Sequence, residues 1–155
     1  MPSRQEEIFF EIHSGLSREA PGNRETTERA FMSLPEPRRF ETVLDVGCGP
    51  GAHSIQLAEL SGARVHAVDT HEPFLEELRE SLGASERGTQ LRELITTVNA
   101  DMNNLPFSEG SFDLIWSEGA AYIAGFETAL RTWKPLLKRG GYIALSELTW
   151  LRGDP

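Results

Sequence analysis

The stretch from Thr42 to Gly51 restricts the fold of this chain more than any other. Val43, Leu44 and Val46 form a β-branched and aliphatic run that predicts a buried strand. Three glycines, Gly47, Gly49 and Gly51, then break it at alternate positions. After Gly51 the pattern turns helical, with Ala52, Ile55 and Ala58 three residues apart. A strand, a glycine turn and a helix start make a nucleotide-sized ligand site. Glycines let the backbone pass close to a ligand, and the helix N-terminus offers free N–H groups and a partial positive charge.

The spacing narrows the ligand. A dinucleotide fingerprint reads Gly-x-Gly-x-x-Gly, whereas Gly-x-Gly-x-Gly stands here with Asp45 two residues before the first glycine. A phosphate-cradling P-loop ends in Gly-Lys-Ser/Thr, and Gly51-Ala52-His53 supplies no lysine. An acid at the mouth of the turn repels a pyrophosphate and suits a ligand carrying an ammonium and a sulfonium. Asp45-x-Gly47-x-Gly49-x-Gly51 resembles the first motif of class I S-adenosylmethionine-dependent methyltransferases. Cys48 sits inside the turn with no base adjacent, so it reads as an inert residue whose size suits close packing on a ligand.

Further along, helical and strand patterns alternate. An apolar segment from Glu6 to His13 and a helix from Arg24 to Leu34, capped by Asn23, precede the glycine turn. Strands are expected at Val43–Val46, Arg64–Asp69, Leu94–Val98, Phe112–Trp116 and Tyr142–Glu147. Helices are expected at Gly51–Leu60, at Pro73–Leu82 and around Phe126–Trp133, the last closed by Lys138-Arg139-Gly140-Gly141, with residues 84–88 as a loop. Alternation of this kind implies an α/β, Rossmann-like, doubly wound and mostly parallel sheet with N-terminal helices. Residues 1–39 are expected to form a helical lid segment, with His13 read as a structural histidine, and residues 40–155 the cofactor-binding α/β core.

Ligands of such sheets bind at the carboxyl ends of the strands. Asp69 ends the second strand and can accept both hydroxyls of a ribose, with Thr70 following as a cap or along the sugar. Ala100-Asp101-Met102 ends the third strand. In the family resembled, an acid here receives the adenine amino group and its apolar neighbour packs on the ring, which implies those roles for Asp101 and Met102. Leu105-Pro106-Phe107 and Ser111-Phe112-Asp113-Leu114-Ile115 resemble the family's region before its fourth strand. At Trp116-Ser117-Glu118-Gly119 the resemblance places backbone groups such as those of Ser117 against the methionine arm. It makes Glu118 the candidate acid beside the transferred methyl, a general base where the acceptor is protonated. Tyr122 is a second candidate for that pocket.

The resemblance covers roughly residues 40–148 and is greatest to small-molecule methyltransferases of the ubiquinone/menaquinone-biosynthesis-like group. It implies S-adenosyl-L-methionine as cofactor, a small-molecule acceptor, in-line methyl transfer and no metal. Two rivals stand beside it: a cofactor-binding or partner protein without turnover, and an NAD-type oxidoreductase. The family's sheet has seven strands, and only five are legible here, so the core is expected to be truncated at its C-terminus. The fifth strand would then be exposed and able to drive self-association.

Composition bounds the partners. Among 155 residues, 24 acidic against 15 basic side chains give a net charge of −9, with no basic cluster to release counterions from a nucleic acid or to meet an acidic membrane. The single cysteine excludes an internal disulfide, and no signal-like or membrane-length apolar run appears, so a cytoplasmic location is expected.

Overall fold

The three inner strands bury apolar side chains on both of their faces, the pattern of a sheet covered from two sides. In the computed structural model, which describes residues 4–148 except residues 14 and 85, five strands form one sheet. They are β1 (Thr42–Val46), β2 (Arg64–Asp69), β3 (Ile95–Asn99), β4 (Phe112–Glu118) and β5 (Leu137–Ser146). Their order is β3-β2-β1-β4-β5, and every neighbouring pair is parallel. Six α-helices accompany them among the described residues: α1 (Arg4–His13), α2 (Arg24–Met32), α3 (Ala52–Ser61), α4 (Glu72–Gly83), α5 (Glu86–Arg92) and α6 (Phe126–Trp133). The expected α/β Rossmann-like architecture is therefore present. The side chain of Phe9, Ser14 and the last residues of the expected 40–155 core lie outside the described residues.

One face of the sheet packs against α2, α3 and α4 through Phe31, Leu57, Leu75 and Leu78, meeting Val43, Val65 and Trp116. The other packs against α6 through Ala129 and Trp133, meeting Leu44, Val46 and Ile115. Burying side chains of this size contributes about 1.5–3 kcal/mol each. Strand order reverses between β1 and β4, and the crevice above that switch point is where a ligand binds in such sheets. Asn23 caps α2 as its sequence suggests: its Oδ1 accepts the Thr26 N–H at 3.0 Å, while Thr26 Oγ1 accepts the Asn23 N–H at 2.9 Å.

Two elements differ from the sequence reading. Residues 84–88, expected as loop, run into α5, whose buried Gly88 sits against the Leu82 carbonyl. A helix that packs through a glycine's bare backbone shows no apolar stripe. At the other end, residues 138–141 do not cap α6. The helix passes into a 3₁₀ turn, Lys134–Leu136, and β5 starts directly after it at Leu137, five residues before the expected Tyr142. A register shift between Phe112 and Leu114 absorbs the extra residues, with Gly140 at φ +82°. Lys138 Nζ instead pairs with Asp113 Oδ2 at 2.9 Å.

Candidate functional site

A cavity of about 610 Å³ opens over the carboxyl ends of the strands. Gly47 and Gly49 form its floor, Asp69 and Thr70 stand at the end of β2, and Asp101 and Met102 follow β3. The sequence placed these six together, and the fold brings them together. Both oxygens of Asp69 already accept backbone N–H groups, Oδ2 from Gly49 and Oδ1 from His71, each at 2.9 Å. Each oxygen keeps a second lone pair, so the carboxylate is held rigid and still open to hydroxyls. Asp101 Oδ1 accepts from Asn103, through its N–H at 2.8 Å and its Nδ2 at 3.0 Å. Met102 is fixed from behind, where Trp133 Nε1 donates to its carbonyl at 2.8 Å.

Four other candidates point elsewhere. Asp45 does not stand at the mouth of the turn: it is completely buried beneath it and accepts the Ser54 hydroxyl at 2.6 Å. Burial pushes its carboxyl up to about 6, against the His53 imidazole and the Ser54 hydroxyl, which favour the ionised form. Gly51 carries a packing contact rather than a ligand contact. A Cβ there would lie 2.3 Å from Leu78 Cδ1, so the third glycine admits α4. Cys48 is buried beside a small separate gap, where its Sγ lies 3.4 Å from the Gly49 carbonyl. Burial raises its thiol pKa well above the ordinary value, which keeps it protonated and inert. Ser117 is buried too, donating to the Val46 carbonyl at 2.8 Å and tying β4 to β1.

Glu118 reaches the cavity wall, but its carboxylate is engaged. Oε2 accepts from Arg18 at 2.7 Å; Oε1 accepts from Thr27 at 2.8 Å and from Trp116 Nε1 at 3.0 Å. His53 Nε2 stands 3.2 Å from Oε2. Burial alone would raise the carboxyl's pKa, yet His53, Thr27 and Arg18 outweigh it and hold it below the usual range. A carboxylate satisfied in this way is a poor proton acceptor. The expected general base is thus a latch between the N-terminal segment and the turn.

Several residues at this site carried no sequence signal. Arg18, Thr27 and His53 gather around Glu118 from three separate elements. Glu19 lines the cavity beside His13, whose Nε2 lies 3.6 Å from its Oε2. His71 stacks on Phe10 of α1 with ring centroids 3.6 Å apart and planes 3° from parallel. Phe10 and His13 both line the cavity, so α1 forms part of its wall. Tyr122 and Ile123, more than half exposed, form an apolar rim with Leu148.

The family described as a methyltransferase domain matches residues 43–141, from the start of the glycine-turn strand into β5. The chain belongs to this methyltransferase family. Its cofactor is S-adenosylmethionine. The malonyl-[acyl-carrier protein] O-methyltransferase of Enterobacter lignolyticus is 32% identical over 120 residues, covering 77% of this chain and 43% of that protein. The demethylmenaquinone methyltransferase of Clavibacter sepedonicus is 31% identical over 153 residues, covering 96% of this chain and 59% of that protein. The chain therefore spans about half the length of these curated relatives. Among solved structures, a putative S-adenosyl-L-methionine-dependent methyltransferase from Methanococcus maripaludis superposes with a TM-score of 0.59 at 27% identity, covering 84% of this chain and 68% of that one.

The site residues fit that cofactor. A rigid carboxylate at the end of β2, an acid and a thioether side chain after β3, and a glycine floor suit an adenosine. No helix among the described residues is long and apolar enough to cross a membrane.

Proposed function

We propose that this methyltransferase domain transfers a methyl group to an apolar, uncharged small molecule. The observation that carries the reading is the joint opening of Asp69 and Asp101 onto one cavity floored by Gly47 and Gly49. In this reading Asp69 holds the ribose hydroxyls, Asp101 takes the adenine amino group and Met102 packs on the ring. Bound S-adenosylmethionine supplies a methyl carbon already activated by its sulfonium. The chain's work is alignment and exclusion of water, and fixing two reactants in line is worth about 7–11 kcal/mol of a barrier. The segment 1–39 serves as a lid, with Phe10 and His13 of α1 closing one side.

The acceptor class follows from charge and shape. The described lining residues include five carboxylates, on Glu19, Asp69, Asp101, Glu118 and Glu147, and no lysine or arginine. An anionic acceptor, such as the carboxylate of a malonyl group, meets no lysine or arginine among the described lining residues. Tyr122, Ile123 and Leu148 offer an apolar approach instead, which suits an aromatic or quinol-like molecule.

Calorimetry with S-adenosylmethionine and with NAD, followed by single-turnover assays over neutral aromatic and carboxylate acceptors, tests this reading. Binding of S-adenosylmethionine alone and methylation of neutral acceptors support it; NAD binding or transfer only to carboxylates overturns it. One observation favours a second reading, that of a cofactor-binding protein without turnover: the expected base, Glu118, is fully engaged. Tight binding with no transfer to any acceptor would select that alternative. For partners, we propose strand pairing at the β5 edge, where backbone groups face outward from the described sheet. Light scattering across a concentration series reads it directly, and a monomer throughout rejects it.

A further inference from the structure

The carboxylate of Glu19 lacks a hydrogen-bond donor. Arg18, immediately before it, is pulled back onto Glu118 at 2.7 Å, and this turn of the chain presents Glu19 to the cavity. Both of its oxygens are screened from solvent, and neither has a hydrogen-bond partner. The cation recorded beside it is the His13 imidazole at 3.6 Å, beyond hydrogen-bond reach. Its burial raises its pKa, with Glu77 and Asp69 adding to the rise against the pull of His13. An ionised carboxylate placed like this carries a desolvation cost that a cationic donor relieves.

Its position says which donor. A Cβ on Gly49 would lie 3.4 Å from Glu19 Cγ, so the side chain stands directly over the glycine floor. The Gly49 N–H donates to Asp69, so Glu19 and Asp69 meet the turn at the same residue, one over its Cα and the other at its N–H. The other lining acids have their own tasks. Glu118 is latched to Arg18 and Thr27, Glu147 accepts the Tyr122 N–H at 3.1 Å, and Asp69 and Asp101 stand at the adenosine end. We propose that Glu19 is the acceptor for the α-ammonium of the cofactor's methionine arm, contributed by the N-terminal segment rather than by the sheet. This rests on the S-adenosylmethionine reading above.

The test separates the amino-acid arm from the nucleoside. Calorimetry on the full 155-residue chain compares wild type and Glu19→Gln with two ligands. S-adenosylhomocysteine carries the arm; 5′-methylthioadenosine has the same nucleoside thioether without ammonium or carboxylate. The expected result is at least a tenfold loss of S-adenosylhomocysteine affinity in Glu19→Gln, with 5′-methylthioadenosine affinity within twofold of wild type. The ligand-free variant is expected to melt no lower than wild type, because a carboxylate without a hydrogen-bond donor has been removed. Unchanged S-adenosylhomocysteine affinity, equal weakening of both ligands, or a lower melting temperature without ligand overturns the assignment. Failure of wild type to bind either nucleoside strikes the cofactor reading itself.

Discussion

The acids at the strand ends fall into two pairs that look alike in sequence and behave oppositely. Asp69 and Asp101, after β2 and β3, open onto the cavity with lone pairs to spare. Asp45 and Glu118, on β1 and β4, lie inside the protein, one bonded through Oδ2 alone to Ser54 and the other bonded to Arg18, Thr27 and Trp116. Asp45 lies under the turn and Glu118 under the N-terminal segment, so their carboxylates meet side-chain donors. Asp69 and Asp101 instead meet donors from the loops beside the cavity and keep lone pairs facing it. A strand-end carboxylate marks a place where ligands bind, but its free valence depends on what packs around it.

The strongest break of this comparison is Glu118→Gln. Removing one partner of a buried charge pair costs about 3–5 kcal/mol, and Arg18 here keeps some access to water, so a loss near 3 kcal/mol in chemical denaturation is expected. A stability change within 0.5 kcal/mol would place Glu118 with the open acids. Its pH signature follows from a carboxyl held below its ordinary value: the stabilisation is complete above about pH 4.5 and is lost as pH falls through the folded-state value.

Asp45→Asn acts in the opposite sense. The folded protein holds this carboxyl at about 6 against an ordinary 3.8, so the folded state binds the proton more tightly. Its stabilising contribution is full below about pH 4 and disappears as pH rises through about 6, leaving an ionised buried group at neutral pH. With each unit worth about 1.4 kcal/mol, the variant should gain on the order of 3 kcal/mol at pH 8 and lose the slope between pH 4 and 6. Melting curves across that window, with wild type and variant running parallel, would contradict the burial argument.

The open pair should answer in binding instead. Asp69→Asn is expected to weaken S-adenosylhomocysteine at least tenfold, while the amide oxygen retains one backbone bond and the protein stays folded. Asp101→Asn, at an exposed side chain partly committed to Asn103, should weaken it severalfold at most. Equal losses in the two variants would remove the distinction between ribose and adenine contacts.

These contrasts also mark what could be read in the sequence. The sheet was legible because its apolar runs, glycine breaks and helix caps are all local signals. Asp69, Asp101 and Met102 were legible because the end of a parallel strand fixes their position, and nothing distant intervenes. The fates of Asp45 and Glu118 were not, since Ser54, Arg18 and Thr27 come from other elements. Gly51 shows the same limit. Its φ of +91° suits the turn, but only Leu78 reveals that the missing side chain makes room for α4. Glu19 carried no pattern at all. What singles it out is that neither of its oxygens has a hydrogen-bond donor, which only the folded chain displays.

The latch at Glu118 also sets an order of events. Arg18 and Thr27 reach it across 100 and 91 positions, so the contact closes a long loop and forms only once β4 lies beside β1. Distant contacts of this kind slow folding, because chain entropy is lost before they repay it. At about 5–20 residues per second, the ribosome needs roughly 5–20 s to carry synthesis from Arg18 to Glu118. Arg18 and Thr27 are therefore made well before the carboxylate they close on, and the N-terminal wall of the cavity depends on a strand synthesised long after it.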